Sequence, residues 1–287
     1  MKKRILAVLI ATALAVSVTG CAGNATSSSD STSASSVAES SDTSTQTSSD
    51  ASSEDESKNE SSQEESKDLE ANYTKYTLDG DLTQHMIDMS RLNEGNKVRL
   101  ANVIKKLKNG EEVTVGFIGG SITQGTSAGN DLCYAKLTAD WLQKTYSNAK
   151  INYVNAGIGA TGSYIGVHRV ENDLLSKKPD LVFVEFSVND TTENTERNKK
   201  SYDGLLRTIW KSSTNPAIIT IATTQEDGTS FQDQHAEIVK HYDLPMISYR
   251  NTILDTIKHG DIVWKDISDD NIHPNVPGHK IVSASRF

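Results

Sequence analysis

The sequence predicts an α/β protein, a three-layer α/β/α sandwich built on a five-stranded parallel sheet. Three observations predict it. Five short apolar runs, mostly β-branched, recur between residues 113 and 249; each is nearly continuous rather than alternating; and segments with helical spacing separate them. A strand covered on both faces has no solvent side, so it shows no polar alternation. Strands that alternate with helices form βαβ units, and right-handed crossovers place helices on both faces of the sheet.

The predicted strands are Val113–Ile118, Ile151–Asn155, Leu181–Phe186, Ala217–Ala222 and Pro245–Tyr249. Helical spacing begins at Val98–Leu107, where apolar residues stand at 98, 100, 103, 104 and 107. Further helices are expected near 133–146, 164–176, 200–213, 231–242 and 250–258. No internal repeat is visible. In such a sheet the functional site lies at the carboxyl ends of the strands. The first strand leads into Gly119-Gly120-Ser121-Ile122-Thr123-Gln124-Gly125. The second leads into Asn155-Ala156-Gly157-Ile158-Gly159-Ala160-Thr161-Gly162-Ser163, and the third into Ser187-Val188-Asn189-Asp190. A parallel sheet brings all three turns to one edge. Asp270-Asn271-Ile272-His273-Pro274 follows near the end of the chain.

The N-terminal part reads differently. Met1-Lys2-Lys3-Arg4 is a positive start, and Ile5 to Val18 is apolar but shorter than the roughly 20 residues of a spanning helix; residues 1–20 therefore read as an export signal. Val18-Thr19-Gly20-Cys21 resembles a bacterial lipobox, which implies cleavage before Cys21, lipidation of its sulfur and residence on the outer face of the bacterial cell membrane. Residues 21–70 form a Ser/Asp/Glu-rich linker with too few apolar residues to fold. That linker holds twelve acids and two bases, and residues 1–4 hold three bases. Set against the whole-chain charge of −9, the remaining residues carry −2, so the acidity belongs to the tether. No basic stripe suggests nucleic acid. With Cys21 lipidated, Cys133 stands alone; no disulfide framework is possible, and Cys133 reads as a small buried hydrophobe. Residues 71–287 are long enough for one domain.

The four motif segments together resemble the SGNH/GDSL hydrolase superfamily. Gly119-Gly120-Ser121-Ile122-Thr123 stands where that family has its nucleophilic serine, and Asn155–Ser163 where it has its glycine block. Ser187–Asp190 stands for its GxND block and Asp270-x-x-His273 for its DxxH. Two positions depart from the pattern: Gly120 replaces an aspartate and Ser187 a glycine. The resemblance implies a flavodoxin-like sheet order and a serine esterase, acting on acyl, chiefly O-acetyl, groups of carbohydrate. Ser121 needs an adjacent base; the implied base is His273, oriented by Asp270. The implied oxyanion donors are the Ser121 N–H, a glycine-block N–H from Gly159 or Ala160, and the Asn189 amide. His168 is a further candidate for the pocket wall. This chemistry requires no metal and no cofactor. Similar proteins carry a further β-rich domain, and Phe287 lies only 14 residues past His273, so 71–287 is expected to stop short of such a domain.

Other readings bear on the same residues. Lipase or lysophospholipase activity and acyl transfer share the fold and the acyl-enzyme. A non-catalytic glycan-binding lipoprotein would keep the sheet without needing Asp270 and His273. Gly157-x-Gly159-x-x-Gly162, with Glu185 ending the next strand, matches a dinucleotide fingerprint, but it follows the second strand rather than the first. Glu185 by itself reads as a structural acceptor, and Asp190 as a cap for the following helix.

Overall fold

The computed structural model describes residues 73–78, 80–191 and 194–285. The expected signal segment, Cys21 and the 21–70 linker lie outside these residues. Among the described residues no helix is long and apolar enough to cross a membrane.

The chain folds as a three-layer α/β/α sandwich. Its strands are β1 (Arg91–Asn93), β2 (Glu112–Gly119), β3 (Lys150–Gly157), β4 (Leu181–Glu185), β5 (Ala217–Ala222) and β6 (Met246–Ser248). Their order in the sheet is β1-β6-β5-β4-β2-β3. β2 to β6 run parallel, in the flavodoxin-like order predicted by resemblance. Among the described residues the sheet has six strands, not the expected five. The added β1 pairs antiparallel with β6 at the edge, in an irregular register from Arg91↔Ile247 to Asn93↔Met246. It is three residues long with one apolar side chain, Leu92, too little pattern for a sequence signal.

The helices are α1 (Gln84–Ser90), α2 (Val98–Lys108), α3 (Ser121–Gln124), α4 (Tyr134–Thr145), α5 (Ser163–Asp173), α6 (Thr195–Trp210), α7 (Gln232–His241), α8 (Tyr249–Lys258), α9 (Trp264–Ile267) and α10 (Val276–Ala284). Strand side chains alternate between two cores. Val113, Val115, Phe117, Phe183, Ile219 and Ile221 face the core closed by α2, α4, α8 and α10. Ile118, Val182, Val184, Phe186 and Ala222 face the core closed by α5, α6 and α7. Cys133 is free and fully buried, in the first core.

The parallel order makes β2 the switch point, since its neighbours β3 and β4 lie on opposite sides of it. The turns leaving β2, β3 and β4 therefore meet at one mouth. β3, which carries the glycine block, is the edge strand. That placement opposes a dinucleotide site, which would sit on the turn at the switch point.

Candidate active site

β2 ends at Gly119, and Ser121 is the first residue of α3. The first N–H groups of a helix have no intrahelical acceptor, so this turn presents the Ser121 N–H together with its hydroxyl. α3 stops after one turn because Gly125 takes a left-handed conformation (φ 104°). Thr123 anchors the turn from below through a buried 2.8 Å bond to the Tyr134 hydroxyl.

His273 reaches this turn from the segment between α9 and α10. Its Nε2 lies 2.9 Å from Ser121 Oγ, and its Nδ1 lies 2.8 Å from Asp270 Oδ2. Asp270 Oδ1 accepts the backbone N–H groups of Ile272 (2.7 Å) and His273 (2.6 Å). Partial burial raises the Asp270 carboxyl, but the bonds from the His273 backbone, the His273 ring and the Ile272 backbone outweigh it. The net shift is downward, so the carboxylate stays charged beside the imidazole. Nδ1–H donation to that carboxylate leaves Nε2 as an acceptor facing the serine. Thus Ser121, His273 and Asp270, separated by up to 152 residues, form one hydrogen-bonded chain.

The donors converge only in part. The side-chain amide of Asn189 leans over Gly120: a Cβ on Gly120 would stand 2.0 Å from Asn189 Oδ1. The glycine that departs from the family pattern thus makes room for Asn189. Gly159 lies beside Ser121, its Cβ position 3.9 Å from Ser121 Cβ. Its N–H, however, donates to Gln124 Oε1 at 2.8 Å, so it serves another acceptor only when Gln124 turns away. Ala160 is held in the left-handed region at φ 58°. His168 is exposed, edge-on to Tyr164 at 5.3 Å. It lines a groove between α5 and α6 with Tyr164, Val167, Arg197 and Lys200, none of which belongs to the Ser121–His273–Asp270 cluster.

Around the cluster stand supporting residues, of which Arg169, Ser268, Trp264 and His235 carried no sequence motif. Arg169 reaches from α5 to the ends of β2 and β3, donating to Gly119 O (2.9 Å) and Ala156 O (2.5 Å). Asn155 fixes the glycine block, accepting from Gly157 N (2.9 Å) and donating to Thr123 O (2.8 Å). The Ser268 hydroxyl shares its one proton between the carbonyls of Asp270 (2.8 Å) and His273 (2.6 Å), and Trp264 Nε1 donates to Asp270 O (2.7 Å). Asp190 does receive a helix N-terminus, but that of α5 rather than the following helix. Its Oδ1 accepts Ser163 N at 2.8 Å, while Oδ2 pairs with buried His235 Nε2 at 2.9 Å. Burial lowers the His235 pKa against the pull of Asp190. Glu185 is fully buried, accepting from Ser187 and Thr223, and its pKa is pushed up to about 7 by burial. A carboxyl so enclosed cannot bind a ribose.

Residues 117–281 match the model of the GDSL-like lipase/acylhydrolase family. The chain belongs to this family. By family and fold the chain is an SGNH-type member of that family, as the four motif segments suggested. It is similar to the solved structure of a two-domain esterase (CEX) active on acetylated mannans, with 40% identity and a TM-score of 0.67. That match covers 69% of this chain and 54% of the esterase, so the acylhydrolase spans about half of that protein's length. Two more distant structures share its fold. An acetylxylan esterase, Axe2 from Geobacillus stearothermophilus, is 20% identical at TM-score 0.51. LAE5, an α/β hydrolase from the metagenome of Lake Arreo, Spain, is 19% identical at TM-score 0.51. Each match covers 60% of this acylhydrolase and 91% of the other chain. Comparison with curated proteins gives no match.

Proposed function

We propose that this acylhydrolase removes O-acetyl groups from carbohydrate through a serine acyl-enzyme. The observation that carries the chemistry is the unbroken chain from Ser121 Oγ to His273 to Asp270. His273 Nε2 takes the Ser121 proton as Oγ attacks the ester carbonyl. The imidazolium that forms is stabilised by Asp270, and returns the proton to the departing sugar hydroxyl. Water then attacks the acyl-enzyme by the same route. Ser121 N–H and Asn189 supply donors to the developing oxyanion, joined by Gly159 N–H once Gln124 releases it.

Two observations support an acetylated sugar as substrate. The similarity at 40% identity is to an esterase active on acetylated mannans. The mouth is also open: Asp270 and Gln124 are exposed, and Ile158, Tyr164 and Ile165 are 42–45% exposed along the glycine block and α5. A short acyl group on a polymer suits a shallow mouth. The test compares acetate release from acetylated mannan and acetylated xylan with hydrolysis of long-chain esters. Preference for the acetylated glycans is expected, and preference for acyl chains of eight or more carbons overturns the reading. Residues 1–21 support a place for this activity: lipid-anchored through Cys21 on the outer face of the bacterial membrane. Radiolabelled palmitate incorporation, lost in Cys21→Ala, tests that part.

A further inference from the structure

The mechanism leaves unused a cluster of histidine and carboxylate side chains away from the Ser121 residues. Asp255 on α8 and His259, the residue that caps the C-terminus of α8, stand four residues apart, so their side chains fall on one face of the helix end. His85 meets them from α1. His85 Nε2 lies 2.5 Å from Asp255 Oδ2, and His259 Nδ1 lies 3.3 Å from the same oxygen. The three donor atoms all fall within 4.8 Å of one another. His85 is buried, with 3% of its side chain exposed, whereas Asp255 and His259 reach solvent at 17% and 22%. That combination gives a held ligand on one side and an entry path on the other.

We infer that His85, Asp255 and His259 form a binding site for a borderline divalent cation, zinc by preference. This goes beyond the ester hydrolysis proposed above and does not depend on it. Two imidazole nitrogens and one carboxylate oxygen suit such cations better than calcium or magnesium, which favour all-oxygen sets. Bonds of about 2.0–2.2 Å to a tetrahedral zinc place donor atoms roughly 3.3 Å apart. The His259–Asp255 separation already has that value, and the His85–Asp255 pair needs to open by under about 1 Å. In the metal-free geometry ring protons stand where the cation would: His85 shares one with Asp255, and His259 Nδ1 bonds Asp255 O at 2.9 Å.

The surroundings favour positive charge. Among the described residues, Asp255 and Asp261 form no ion pair with lysine or arginine. Asp261 accepts from the Tyr73 hydroxyl and from Tyr76 N (2.6 Å). Tyr73 stacks on His259 at 4.0 Å and stands edge-on to His85 at 5.1 Å. A cation here would fasten α1 to α8 beside the first described residue of the chain.

The test uses the full-length, untagged protein stripped with chelator. Zinc chloride is titrated calorimetrically into wild type, His259→Ala and, as a control on an exposed histidine outside the cluster, His241→Ala. One zinc per chain is expected for wild type and His241→Ala, with affinity at least tenfold weaker for His259→Ala. Saturating zinc should raise Tm by roughly 5–10 °C in wild type and not in His259→Ala, while metal-free acetate-ester turnover stays equal. Absence of zinc binding in wild type overturns the inference. So does binding that survives His259→Ala, for instance through His273.

Discussion

Gly120 and Asn189 show how one missing Cβ links two motifs. The Asn189 amide occupies the space above Gly120, 2.0 Å from where a methyl would stand. Gly120→Ala should displace that amide and lower kcat by about 10²–10³, the usual cost of one oxyanion donor, with KM little changed. Asn189→Ala should cost a similar factor. Because both changes remove the same donor, the double variant should lose little more than the worse single one. Steady-state kinetics on a chromogenic acetate ester would show this, and independent, multiplying losses would contradict it. Ser121→Ala should abolish nearly all turnover, by roughly 10⁴-fold or more, because the hydroxyl and the imidazole act as a unit.

Elements place those side chains. α9 and α10 bracket the Asp270–His273 turn, and Ser268 ties it together by sharing its hydroxyl proton between two of its carbonyls. Ser268 is 1% exposed, so Ser268→Ala takes a buried donor from the His273 carbonyl, while Asp270 O keeps Trp264 Nε1. A stability loss of about 1–3 kcal/mol is expected by denaturant melts, together with lower kcat as His273 loses its fixed position. At the other side of the mouth, Arg169 holds the ends of β2 and β3 through two different nitrogens. A lysine has no fork to reach both carbonyls, so Arg169→Lys should lower Tm by several degrees and reduce turnover on the same acetate ester. An unchanged Tm would show the clamp to be idle. The sequence could not announce either residue. Ser268 and Arg169 act through backbone carbonyls, which leave no motif, whereas Ser121, Asp270 and His273 stand in segments whose spacing is legible.

For the whole molecule, the legible part was the part dictated by burial. Val182, Val184 and Phe183 face opposite cores in one strand, so β4 reads as a continuous apolar run. β1 escaped notice because an edge strand with one apolar residue has no such pattern. The commitment of Gly159 N–H to Gln124 depends on a side-chain rotamer, which no spacing encodes. The buried Glu185 has a global consequence for stability. Its folded pKa of about 7 lies above the ordinary 4.5, so the folded state binds its proton more tightly than the unfolded state. That contribution is therefore lost as pH rises from about 4.5 to 7. His279, lowered to about 4 chiefly by burial, acts oppositely, losing stability as pH falls from about 6.5 to 4. The two nearly cancel in wild type between those limits. Glu185→Gln isolates the first: its stability relative to wild type should rise by on the order of 3 kcal/mol between pH 4.5 and 7. A pH-independent difference in urea melts would contradict the assignment.

If Ser121 carries the nucleophilic oxygen of an ester hydrolase, covalent capture reads it out directly. Treating the protein with a fluorophosphonate and mapping the adduct by peptide mass spectrometry should place one phosphonyl group on Ser121, with loss of acetate release in step with labelling. An adduct elsewhere, or no adduct while acetate release proceeds in Ser121→Ala, would contradict the account.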